Sequence, residues 1–203
     1  MTTTLKPAKT SKTKTELIFD LETTGLLRQG SQIHCIVNRH LGECDVPVSY
    51  VQDQYLVKEA QDKKEAAWEV SSQIFAGVHE IMSADLIIGH NILSYDLPLL
   101  KEQFPQFSPR GKKIDTLVLS RLFYPHILER DYDKSPEGMP VRLYGRHSLE
   151  AWGWRLRCHK GDFGKQPDAW SRYTPEMLDY CSQDTYVTYL LYVHLTNRMK
   201  HYA

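Results

Sequence analysis

The stretch that most restricts this chain is Leu17-Ile18-Phe19-Asp20-Leu21-Glu22-Thr23-Thr24-Gly25. Leu17, Ile18 and Phe19 form a short apolar run, the signature of a strand covered on both faces. Asp20 and Glu22 lie two apart, and residues two apart on a strand share a face. Two carboxylates therefore stand side by side at the mouth of an apolar strand. Their repulsion is costly unless a cation joins them, and adjacent hard oxygen donors suit Mg²⁺ or Mn²⁺. Gly25 then breaks the strand and opens a turn. Two solvated strand-end charges fit the same residues, so the further ligands have to come from elsewhere in the chain.

The 203 residues are enough for one compact domain with a sizeable core. With 41% hydrophobic and 25% charged residues, the composition is that of a soluble globular protein rather than a disordered one. No apolar run reaches the roughly 18–20 residues of a membrane span, and the N-terminus lacks the apolar core of a signal peptide. The expectation is an intracellular, cytoplasmic protein with no membrane association. Cys35, Cys44, Cys158 and Cys181 lack metal-ligand spacing and read as free thiols in a reducing compartment. A formal net charge of zero excludes a strongly basic nucleic-acid coat protein. Residues 1–16 carry Lys6, Lys9, Lys12 and Lys14 against Glu16 alone, and read as a disordered basic tail. Residues 17–203 are then the single folded domain.

Periodicity and turn residues give a coarse element order. Strands are expected from Leu17 to the paired carboxylates, at Gln32–His40 and at Val46–Val51, with antiparallel pairing across turn residues such as Gly42 and Pro47. Lys58–Met82 is helical, with Ala67, Val70, Ile74, Val78 and Ile81 near a period of 3.6. Ala84–Gly89 is a fourth buried strand, and a helix starts around Leu97. Lys113–Leu119 reads as a strand feeding a helix that runs to Phe123. Pro125–Tyr144 and Lys160–Tyr173 read as loops, separated by a helix over His147–Leu156. Pro175–Met199 is a closing helix, with Thr174 as its N-cap. Three strands, then alternating helix and strand, then mostly helix, make an α/β layered fold around a mixed sheet.

Two further acidic constellations follow. Gly89-His90-Asn91-Ile92-Leu93-Ser94-Tyr95-Asp96 comes directly after the fourth strand, which puts Asp96 at the start of the next helix. A simple helix N-cap is the plainer reading of Asp96. In Tyr180-Cys181-Ser182-Gln183-Asp184, i, i+4 spacing puts Tyr180 and Asp184 on one helical face. A core tyrosine beside a solvated aspartate reads as plainly. The order of the three fragments is more specific than any one of them. It resembles the tyrosine-containing (DEDDy) subgroup of the ribonuclease-H-like 3′–5′ exonucleases. Ile114-Asp115-Thr116-Leu117-Val118-Leu119-Ser120-Arg121-Leu122, Gly145-Arg146-His147-Ser148-Leu149-Glu150-Ala151-Trp152-Gly153 and Lys160-Gly161 further resemble the proofreading domain of family A DNA polymerases of T-odd-type short-tailed phages. The resemblance runs from about Leu17 to about Leu195.

The resemblance implies a ribonuclease-H-like mixed five-stranded sheet with flanking helices, three antiparallel strands followed by parallel ones. It implies Asp20, Glu22, Asp96 and Asp184 as ligands of two divalent metal ions, Mg²⁺ or Mn²⁺, with Tyr180 orienting the attacking water. A phenol, ordinarily near pKa 10, is a poor base at neutral pH, which favours orientation over proton abstraction. It further implies Thr23 on the terminal sugar and Leu26 wedged against the last bases. Asn91 and Tyr95 would support the site or the strand. Arg142, Arg146, His147 and Lys160, in or beside the loops, are candidate strand contacts, and the tryptophans Trp68, Trp152, Trp154 and Trp170 are expected mostly in packing. The implied reaction is hydrolysis of terminal phosphodiesters at single-stranded or frayed DNA 3′ ends, giving nucleoside 5′-monophosphates. The chain ends near Ala203, without thumb, fingers or palm, so the expectation is a free-standing exonuclease or the proofreading subunit of a separate DNA polymerase chain. Two alternatives stay open: an RNA-trimming 3′–5′ exoribonuclease, and a catalytically silent module that binds nucleic acid or a polymerase.

Overall fold

The computed structural model describes residues 14–25, 31–42, 47–51, 68–159, 161, 163–166 and 168–200. The expected tail lies almost wholly outside them, and Glu16 already belongs to the first strand. The strands are β1 (Glu16–Thr23), β2 (Ile33–His40), β3 (Val48–Val51), β4 (Leu86–Gly89) and β5 (Lys112–Asp115). The helices are α1 (Trp68–Ser83), α2 (Asp96–Gln103), α3 (Thr116–Phe123), α4 (Ile127–Lys134), α5 (Leu149–Arg155) and α6 (Pro175–Lys200). They surround one five-stranded sheet in the order β3-β2-β1-β4-β5. β1 pairs antiparallel with β2, and β2 with β3. β1 pairs parallel with β4, and β4 with β5. The expected mixed sheet, antiparallel first and parallel after, is therefore what forms.

β1 runs through the middle and decides the orientation of everything else. Leu17, Phe19 and Leu21 enter the core shared with Ile74, Val78 and Ile81 of α1 and with Leu99 and Leu100 of α2. Fully burying a side chain of that size contributes roughly 1.5–3 kcal/mol. A one-residue slip of β1 would exchange these three for Asp20 and Glu22, so the apolar set fixes the register. The acids turn instead to the opposite face, where Cys35 and Val37 of β2 pack with Met177 and Cys181 of α6. On α6, Met177, Cys181, Asp184, Thr185, Thr188, Leu191 and Leu195 are buried at helical spacing. Thr174 caps this helix as expected, its Oγ1 accepting the Met177 N–H at 3.2 Å.

The structure departs from the expected loops. Pro125–Tyr144 contains α4 and a 3₁₀ turn at Val141–Leu143, and the 160–173 stretch contains a 3₁₀ turn at Phe163–Lys165. α4 has no apolar stripe because only Ile127 and Asp131 are buried on it. Its core position is a carboxylate, neutralised by Arg155 through Nε at 2.9 Å and Nη2 at 2.7 Å. β5 is also shorter than expected. Asp115 ends it by accepting the Leu117 N–H at 2.9 Å, which starts α3. The 58–67 part of the expected first helix lies outside the described residues.

Candidate active site

The carboxyl ends of the parallel strands β1, β4 and β5 open on one edge of the sheet, the usual place for a ligand crevice in such folds. A cavity of about 240 Å³ lies there. Asp20 and Glu22 reach it from β1, Asp96 from the start of α2, and Tyr180 and Asp184 from α6; Leu21, His90, Asn91, Tyr95 and Trp170 also line it. Three fragments spread over more than 150 residues of sequence thus meet at one point, and all four acids face one space. Among the described residues lining it there is no lysine and no arginine.

The surroundings of the acids differ. Asp20 and Glu22 are half-buried, and one ligand atom of each lies with Cys181 Sγ in a group spanning at most 4.8 Å. The Cys181 thiol donates to Asp20 Oδ2 at 3.6 Å. Burial first, then the neighbouring Cys35 thiol and the Asp20 and Glu22 charges, push that thiol well above its ordinary pKa, so it remains a neutral donor. Asp96 is 4% exposed. Burial and the Asp115 charge push its carboxyl up to about 7, against the opposing pull of its own backbone N–H. The N-cap of α2 is Tyr95 rather than Asp96, and no side-chain bond caps it. The simple-cap reading of Asp96 is therefore set aside. Hard oxygen donors, crowded and short of cationic side chains, fit divalent ions of the Mg²⁺ or Mn²⁺ kind.

The substrate-side candidates divide. Asn91 and Tyr95 line the cavity. Thr23 is buried and does not line it. Its hydroxyl, the Tyr95 hydroxyl and the Gly25 carbonyl form a triangle of contacts, 2.7 Å from Thr23 Oγ1 to Gly25 O, 2.6 Å from the Tyr95 hydroxyl to Gly25 O and 2.6 Å between the hydroxyls, among which the two hydroxyl protons are shared. The triangle ties the end of β1 to the start of α2. Leu26 and Lys160 lie outside the described residues. Arg142, Arg146 and His147 line a second, larger space of about 1110 Å³, which shares Asp20, Asn91, Tyr180 and Asp184 with the first. Arg142 also pairs with Glu150 at 2.9 Å. Ser120 Oγ donates to Leu117 O and so accepts from His147 Nδ1–H at 3.0 Å. Burial, then Arg155 and Arg121, lower the His147 pKa and favour its neutral ring.

Several residues escaped the sequence reading. Trp170 lines both spaces and packs beside Tyr180 with ring centroids 5.8 Å apart, in an aromatic group with Phe163. A Cβ at Gly164 would lie 3.1 Å from the Trp170 ring and 3.8 Å from the Tyr180 hydroxyl, so glycine keeps that approach open. Trp154 and Arg121 also line the larger groove. Of the tryptophans expected in packing, Trp152 is 2% exposed and fits that role. Trp154 and Trp170 are half-buried; they pack against Met139, Leu143 and Ala151 and against Phe163, Met177 and Cys181 respectively, and also line the groove. His90 faces both spaces, its Nδ1 donating at 2.9 Å to a Thr116 hydroxyl whose own proton goes to Gly89 O. Periodicity does not mark His90 and Trp170, which are placed by turns, while Trp154 and Arg121 stand on α5 and α3.

No family model matches the chain. It is 30% identical over 207 aligned positions to the DNA-directed DNA polymerase of Escherichia phage T7, covering 92% of this chain and 27% of the polymerase. The chain thus spans about a quarter of the length of that relative. Among solved structures, Brucella melitensis NrnC with bound Mg²⁺ superposes with a TM-score of 0.58 at 15% identity, over 97% of this chain and 79% of that one. Escherichia coli Exonuclease I in complex with a dT13 oligonucleotide gives 0.51 at 13% identity, over 93% and 43%. At such identities the two structures speak for the shared fold alone.

Proposed function

We propose that this chain, homologous to part of the phage T7 DNA polymerase and folded like the ribonuclease-H-like exonucleases, is a 3′–5′ exonuclease that hydrolyses terminal phosphodiesters of DNA. The observation that carries the reading is the single cavity that takes Asp20, Glu22, Asp96, Asp184 and Tyr180 together. Asp20, Glu22, Asp96 and Asp184 would hold two divalent ions. Bound there, such ions activate a water and neutralise charge on the scissile phosphate and the departing 3′-oxygen. Cys181 keeps one Asp20 oxygen turned to the helix side. Tyr180, braced by Trp170 and Phe163, orients the attacking water through its hydroxyl. The products are nucleoside 5′-monophosphates.

The larger groove supports a single-stranded substrate. It continues from the carboxylates past Arg121, Arg146 and His147 to Trp154, and so offers cations for phosphates and an aromatic face for a base. Among the described residues no helix is long and apolar enough to cross a membrane. The homology to a polymerase makes a separate polymerase chain the partner to seek for a proofreading role.

The test uses 5′-labelled DNA as a matched primer–template, a 3′-mismatched primer–template and a free single strand, with an RNA single strand beside them. Mg²⁺-dependent, EDTA-sensitive shortening of DNA from the 3′ end, fastest on free and mismatched ends, is the expected result. Faster shortening of RNA would transfer the reading to an exoribonuclease. No shortening under Mg²⁺ or Mn²⁺ would leave a binding module.

A further inference from the structure

We propose that Asp115 is a positioning residue that delivers Asp96 to the carboxylate cavity, an inference that rests on the metal-binding reading of that cavity. Asp96 sits at the end of an awkward turn. Asn91 has φ of +67°, a left-handed conformation that a residue with a Cβ adopts reluctantly. Tyr95, the N-cap of α2, has φ −128° and ψ −72° and gives no side-chain cap bond. Backbone bonds within the turn run from the Ser94 and Tyr95 N–H groups to Asn91 O, each at 3.2 Å. The Leu97 N–H adds a bond to Ile92 O at 3.0 Å and the Tyr95 hydroxyl ties the far end of the turn to Gly25 O, which leaves the Asn91 end to be held from outside.

That hold comes from β5. Asp115 pairs with Gly89 in the parallel register, one strand away from the start of the turn. Its carboxylate is 5% exposed. Oδ1 accepts the Asn91 N–H at 2.9 Å and the Leu117 N–H at 2.9 Å. Oδ2 accepts the Leu93 N–H at 3.1 Å. A carboxylate that only capped α3 would need the Leu117 bond alone. The other two bonds reach across to the β4–α2 turn and fix the left-handed Asn91 together with the residue two beyond it. Asp115 thus joins the end of β5, the first turn of α3 and the turn that carries Asn91, Tyr95 and Asp96. Groups that orient a metal ligand in this indirect way typically affect metal affinity about 10–100-fold.

Asp115→Asn separates this role from helix capping. The amide keeps one oxygen for the Asn91 and Leu117 N–H groups and turns an NH₂ against the Leu93 N–H. Mn²⁺ binding to the DNA-free protein, followed by electron paramagnetic resonance, should show the weaker site losing affinity roughly 10-fold or more, with the hydrolytic rate largely regained at high Mn²⁺. Equal Mn²⁺ affinity in wild type and D115N would overturn the inference alone. No Mn²⁺ on the wild type would overturn the metal-binding reading and the inference with it. A measurement on the wild type decides the matter if D115N does not fold. The Asn91 and Leu93 amides should exchange slowly with deuterium in the metal-free protein. Rapid exchange that slows only when Mn²⁺ is added would overturn the inference.

Discussion

Two aspartates in this molecule are equally hidden and oppositely treated. Asp131 is 1% exposed and Asp96 is 4% exposed. Asp131 receives Arg155 on both oxygens and the Gly145 N–H at 2.8 Å on one of them. Asp96 lies in a cavity with Asp20, Glu22 and Asp184 and without a lysine or arginine among the described lining residues. The first acid finds its counter-charge in the chain, and its work is done when the chain has folded. The second is held in a place where its charge is costly, and only something from solution can offset that cost. On the proposed reading, the contrast is that of a ligand site against a structural ion pair.

The largest expected effect lies on the acid-rich side. Asp20→Ala with Glu22→Ala should lower the rate of DNA shortening by at least about 10³-fold, while the melting temperature of the metal-free protein stays level or rises, because like charges have been removed. A double variant that still shortens DNA at the wild-type rate would place the chemistry elsewhere. On the other side, Arg155→Ala leaves Asp131 charged and buried. That should cost roughly 3–5 kcal/mol, about 6–20 °C of melting temperature for a chain of this size. Calorimetry would check it, and a shift under about 2 °C would break the comparison.

The third prediction turns on pH. The folded Asp96 carboxyl is raised from 3.8 to about 7. A raised acid favours the folded state while protonated, so its contribution is full below about pH 4 and is lost as pH rises towards 7. Metal-free wild type should therefore lose stability relative to Asp96→Asn across that window, by a few kcal/mol at most, and saturating Mg²⁺ should remove the difference in slope. Urea titrations from pH 4 to 8 would show it. Parallel slopes for the two proteins would mean that Asp96 already has its counter-charge.

The two regions also differ in how far the sequence revealed them. Asp20 and Glu22 were legible because a strand has a period of two and the apolar Leu17, Phe19 and Leu21 leave only one face for them. Tyr180 and Asp184 were legible as one helical face by their i, i+4 spacing, and only the resemblance singled them out as site residues. α4 was not, since its core position is Asp131 and a buried carboxylate reads as a break in the apolar pattern. Asp115 stood in plain sight as an acid at a strand end, and nothing nearby in sequence tells that its partners are the amides of Asn91 and Leu93, more than twenty residues away. Trp170 shares that fate. Local periodicity reports which face a residue takes, and long-range hydrogen bonds and turns leave no period behind.

Arg146 is where the two regions touch, and it gives the smallest and most discriminating prediction. Its carbonyl accepts Arg155 Nη1 at 2.8 Å, so its backbone belongs to the structural pair. Its side chain is exposed and lines the groove beside the carboxylates. Arg146→Ala keeps the carbonyl and removes only the guanidinium. Stability should stay within about 0.5 kcal/mol of wild type, as for an ordinary surface change. Single-stranded DNA should bind roughly 3–10-fold more weakly, with the slope of log affinity against log salt reduced by about 0.7, the value for one lost phosphate contact on a single strand. Fluorescence anisotropy with a labelled oligonucleotide, in Ca²⁺ to withhold turnover, would measure both. A large fall in melting temperature with unchanged binding would assign the whole residue to the Asp131–Arg155 pair. The expected split, binding lost and stability kept, would show that one peptide unit serves the fold through its carbonyl and the substrate through its side chain.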